Sequence, residues 1–74
     1  MKKYLVESSN IKSIAYDIEF KLLVVTFKNR LSYSYKDIDP ETVCNVLFAD
    51  SVGSAFHKFI VKIHDATKLE NDEK

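Results

Sequence analysis

Ser51-x-Gly53 followed by His57 is the densest group of reactive side chains in the sequence. A hydroxyl and an imidazole at that spacing are the raw material of a nucleophile and its base. The chain supplies no third partner for them, and with a single glycine it has no Gly-rich turn to build an oxyanion hole. The plainer role is structural. Ser51 suits the N-cap of a helix, Gly53 lets that helix approach the sheet or another helix closely, and His57 sits beside Phe56 as a partly buried hydrogen-bonding residue. Cys44, His57 and His64 are the soft metal ligands, but the histidines lie seven apart and no C-x-x-C or H-x-x-x-H spacing occurs. A structural zinc site takes four ligands, so no metal and no cofactor is expected, and Cys44 reads as a small buried apolar residue. Tyr33 and Tyr35, at i and i+2, are the remaining candidates. On an exposed sheet they would stack unpaired bases; under a helical layer they would be core.

Seventy-four residues make one domain, with a core too small to enclose a large cleft. A lone cysteine excludes an intramolecular disulfide. The apolar run Leu22 to Val25 is four residues long and no run is longer. A signal peptide needs roughly 7 to 15 apolar residues and a membrane helix about 20, so a cytoplasmic protein without membrane contact is expected. The formal net charge is zero, with an uneven distribution. Residues 1 to 36 hold seven basic against three acidic side chains, and residues 37 to 74 hold four against eight. Phosphate recognition wants clustered Lys and Arg; Lys28, Arg30 and Lys36, around one hairpin, are the nearest approach to a cluster.

The elements that must position these residues divide at Pro40. Residues 3 to 36 are rich in β-branched and aromatic types and lack glycine and proline, which suits strands. Three are expected, over about Ile11 to Asp17, Lys21 to Lys28 and Leu31 to Lys36, with a short extended piece at Tyr4-Leu5-Val6 before them. Asp39-Pro40-Glu41 then reads as an N-cap, a proline at the first helical position and an acid near the helix start. Val43, Val46 and Leu47 form the apolar stripe of this first helix. A second, from Ser51 to about Ile63, carries the stripe Val52, Phe56, Phe59, Ile60 and Ile63. Residues 65 to 74 read as a polar, disordered tail.

Hairpin register decides where the tyrosines point. A three-residue loop, Lys28-Asn29-Arg30, pairs Val25 with Tyr33 and Leu23 with Tyr35, and gathers Leu23, Val25, Phe27, Leu31, Tyr33 and Tyr35 on one face. A two-residue loop would mix apolar and polar residues, so the longer loop is expected, with Arg30 at positive φ. The opposite face then shows Leu22 and Val24, with Ile11 or Ala15 as neighbours.

Several stretches together resemble the KTSC domain. They are Ser8-Ser9-Asn10-Ile11 with Ile14-Ala15-Tyr16-Asp17, the strand Leu23-x-Val25-x-Phe27, the Tyr33-Ser34-Tyr35 motif, and Ala49-x-Ser51-x-Gly53 followed by Phe56-His57 and Ile60. The resemblance spans roughly residues 6 to 64. Two positions depart from it: Arg30-Leu31 where the family often has glycine, and Ala55 where it often has an aromatic. The resemblance implies a small α+β domain, here a three-stranded antiparallel β-meander followed by two α-helices packed on one face, occupying residues 1 to 64. Such domains occur at the C-terminus of some lysyl-tRNA synthetases and as free-standing proteins of bacteria and phages. That company implies an association with RNA and supplies no established activity.

Two functions follow as expectations. One is a non-catalytic RNA-associated module using Lys28, Arg30, Tyr33, Tyr35 and Lys36, with Tyr16, Phe27, Ser51, Gly53, Phe56, His57 and Ile60 as structural motif residues. The other is a protein-interaction module, such as a phage or mobile-element accessory or inhibitor, binding a partner or a second copy through the open sheet face or an edge strand. Shared exposure of basic and aromatic side chains would favour the first; a bare patch at Leu22 and Val24 would favour the second.

Overall fold

The computed structural model describes residues 2–69. Its strands are β1 (Lys2–Leu5), β2 (Ile11–Asp17), β3 (Leu22–Phe27), β4 (Ser32–Tyr35) and β5 (Ala66–Leu69), with helices α1 (Pro40–Leu47) and α2 (Val52–Phe56) between the last two. All five strands form one antiparallel sheet in the order β1-β2-β3-β4-β5. The class is α+β, but the sheet has five strands and not the expected three. Both additions are edges. Edge strands carry no burial on two faces, so β1 (Lys-Lys-Tyr-Leu) and β5 (Ala-Thr-Lys-Leu) lack the apolar alternation that marks the inner three. Ala66–Leu69 thus belong to the folded domain and not to a disordered tail; residues 70 to 74 lie outside the described residues.

The β3–β4 hairpin has the expected register, Leu23 opposite Tyr35 and Val25 opposite Tyr33. Its turn closes by Phe27 N–H donating to the Leu31 carbonyl at 2.8 Å and Arg30 N–H donating to the Phe27 carbonyl at 2.9 Å. Arg30 takes φ 75°, the cost of a three-residue loop without glycine. In the β2–β3 turn, the Asp17 carboxylate accepts from the Glu19 and Phe20 N–H groups.

One sheet face holds the core. Ile11, Ile14, Tyr16, Leu23, Val25 and Tyr35 project from it onto Ile38, Val43, Val46, Val52, Phe56 and Ile60. Ile11 is only 1% exposed, on this face and not beside Leu22 and Val24 as one expectation had it. A register shift between Ile11 and Ser13 inserts Lys12 as an extra residue and turns Ile11 inward, opposite Phe27. The helical layer also departs from regularity. After Phe56 the chain continues as a π-helical turn over His57–Val61, closed by Lys62 N–H donating five residues back to the His57 carbonyl. The added residue shifts the phase of the stripe, so Val52, Phe56 and Ile60 are buried while Ile63 is 68% exposed. Cys44 is exposed, contrary to its expected burial, because it follows Val43 and is rotated about 100° from it around α1.

Candidate functional site

The basic and aromatic candidates part company in space. Lys28 and Arg30 are exposed in the β3–β4 turn. Lys36 is not beside them: β4 runs away from the turn, and four residues beyond Ser32 at about 3.3 Å each put it roughly 13 Å further on. Tyr33 and Tyr35 face the helices. Tyr35 is 5% exposed and meets the Phe56 ring edge-on at 5.5 Å; Tyr33 is half-buried, edge-on to Phe27 at 5.8 Å. Phe27 in turn packs on Phe56 at 6.0 Å. Burial holds the Tyr35 hydroxyl above its ordinary pKa, reinforced by neighbouring Tyr33. Tyr35 is therefore closed to stacked bases, while Tyr33 and Phe27 keep part of their rings exposed.

The motif residues take mainly structural places. Ser51 Oγ accepts from Ser54 N–H at 3.3 Å, the N-cap of α2. A Cβ on Gly53 would lie 3.3 Å from Ser8 Oγ, so the close approach this glycine permits is to the β1–β2 loop, not to the sheet or α1. Ser8 Oγ there accepts from the Asn10 and Ile11 N–H groups and organises the entry to β2. Buried Tyr16 donates its hydroxyl to the Ile38 carbonyl, pinning the β4–α1 connection to β2. His57 is exposed at the start of the π-helical turn. Among the described residues, no three His, Cys, Asp or Glu side chains come together as a metal site.

Two hollows stand out. The first, about 320 Å³, has Phe27, Phe56 and the two tyrosines in its lining, with Asn10 and His57 among its polar groups. Asn10 is new to the set; its only signal in the sequence is its place in the Ser-Ser-Asn loop. The second, about 850 Å³, is an apolar groove between the free edge strand β1 and helix α1. Tyr4, Tyr16, Ile18, Val43, Leu47 and Phe48 line it. Phe48 is 83% exposed and Ile18 67%, and Phe20, in the same turn as Ile18, is 74% exposed. Sequence reasoning passed over these residues because each falls in a turn or past a helix end, where no periodicity marks it. The sheet's outer face is bare of helices, but there Ala15, Leu22 and Val24 are half-buried among Ser13, Thr26 and Ser34. The groove is the larger apolar exposure.

The comparisons agree with this fold. The chain belongs to the KTSC domain family, whose model matches residues 7–63. It is 36% identical over 64 residues to an uncharacterized protein of Stutzerimonas stutzeri (strain A1501), covering 86% of this chain and 90% of that one. It is also similar to the crystal structure of the KTSC domain protein YPO2434 from Yersinia pestis, with a TM-score of 0.86 at 28% identity, covering 93% of this chain and 97% of the other. No helix among the described residues is long and apolar enough to cross a membrane.

Proposed function

We propose that this KTSC domain is a non-catalytic module that binds a protein partner across the free edge of β1 and into the groove beside α1. The observation that carries the reading is the groove itself, an apolar depression of about 850 Å³ flanked by Phe48 and Ile18. Large exposed apolar surfaces on small soluble domains mark interaction sites. An extended partner segment would pair with β1 through main-chain hydrogen bonds and lay alternate side chains into the groove. Lys2 and Lys3 on that edge favour a partner strand carrying acids. RNA association has less to carry it: Tyr35 is buried, Tyr33 is half-buried, and Lys36 lies away from Lys28 and Arg30.

Photo-crosslinking in the native host tests this. A Phe48→benzoylphenylalanine variant is expected to capture a discrete polypeptide, the adduct surviving RNase and the paired changes Lys28→Glu and Arg30→Glu. Ile18→Glu should abolish capture. Insensitivity to Ile18→Glu, or loss on RNase treatment, would overturn the proposal and return attention to the turn.

A further inference from the structure

The hollow over the aromatic cluster is a separate site, and its chemistry does not depend on the groove. We infer that it binds a planar aromatic ring bearing an anionic substituent. Its lining is aromatic, with Phe27 edge-on to both Tyr33 and Phe56; Tyr35 and Phe56 are buried beneath, so a flat ring meets the part-exposed rings of Phe27 and Tyr33, already oriented. The wider π-helical turn contributes two lining residues, His57 and Val61, where a regular helix would have continued the buried stripe. Asn10, Tyr33, Tyr35 and His57 bring polar groups to an otherwise apolar, open depression of about 320 Å³, within the size range of small-ligand pockets.

Charge sets the sign of the ligand. Among the described residues, no carboxylate lines this hollow. A second one of about 350 Å³ adjoins it through Asn10 and Phe27 and is lined further by Ser9, Lys28 and Asn29, again with no acid among the described residues. Lys68 stands opposite Tyr33 in the β4–β5 ladder, on the same face. Glu7 and Asp50 line a third, polar hollow that shares Asn10, Gly53 and His57 with this one. An anionic group is repelled from those acids and directed toward Lys28, with the ring seated over Phe27 and Tyr33. Mononucleotides and aromatic carboxylates both have this chemistry.

Amide NMR on the isotope-labelled full chain tests the site. Adenosine monophosphate and indole-3-acetate serve as probes for the two sources, with adenosine and inorganic phosphate as part-ligands. The expected result is a set of shifts centred on Asn10, Tyr33, Gly53, His57 and Val61 with at least one of the anions. Adenosine should bind about fivefold more weakly than its monophosphate at low ionic strength, an advantage that Lys28→Glu removes. Asn10→Ala and His57→Ala alter exposed side chains and keep the fold, and each should weaken binding about fivefold. Response to one anion only identifies the source. The inference fails if neither anion gives localised shifts, if inorganic phosphate alone reproduces them, or if both alanine variants bind as the unaltered chain does.

Discussion

Tyr16 shows what a single side chain does in so small a core. Its ring fills the face beneath α1 while its hydroxyl satisfies the Ile38 carbonyl, in a loop that is otherwise without a ladder. Tyr16→Phe leaves that buried carbonyl unpaired, and urea denaturation should register a loss of about 1–2 kcal/mol. Burial also raises the pKa of Tyr16, a shift that Lys21 opposes and Asp39 and Asp17 assist; Tyr35 is raised by burial and by Tyr33. In both cases the folded chain holds the proton more tightly than the unfolded one. The stability they contribute is therefore complete below the ordinary value of 10.0 and is lost as pH climbs from there through the raised folded values. Melting temperatures measured from pH 8 upward should fall above about pH 10, and fall less in a Tyr16→Phe, Tyr35→Phe double variant. A double variant as steep as the parent would refute the assignment.

At the scale of elements, two helix starts that look alike in the sequence prove unlike in the fold. Ser51 makes its capping bond, whereas Asp39 makes none; its carboxylate instead pairs with Lys21 at 3.2 Å in solvent. Ser51→Ala should cost about 1 kcal/mol, and Asp39→Ala less than about 0.5 kcal/mol, because an exposed ion pair is worth little. Equal costs in chemical denaturation would contradict this geometry. Pro40 and Glu41 do occupy the first turn of α1 as their types require. The β3–β4 register was legible for a similar reason. Alternation in Leu23-x-Val25-x-Phe27 and Tyr33-x-Tyr35 leaves one loop length that keeps apolar side chains together, and Arg30 accepts the positive φ it demands. The π-helical turn was not legible, since Phe56, Phe59, Ile60 and Ile63 fit a regular helix equally well until His57–Val61 is packed against the sheet.

The whole molecule depends on closing its sheet with edges that have little pattern of their own. β5 covers β4, placing Ala66 beside Tyr35 and Lys68 beside Tyr33. Deleting residues 66 to 74 removes all four β4–β5 cross-strand pairs and should lower stability by about 1–3 kcal/mol in urea, while exposing a β4 edge prone to pairing. An unchanged midpoint would mean that β5 adds nothing to the fold. The candidate surfaces also belong to this scale. The 850 Å³ groove exists only because β1 and α1 flank the same side of Tyr16, and the aromatic hollow only because the Asn10 loop, β4 and the π-helical turn converge. In the sequence alone, local periodicity and turn chemistry carry the α+β class, the inner three strands and the hairpin register, and the ordered motifs from Ser8 to Ile60 carry the resemblance to the KTSC family. Only the packed chain puts Ile18 and Phe48 on one groove, and Asn10 and His57 on one hollow. Those juxtapositions join distant parts of the chain, and no local pattern encodes them.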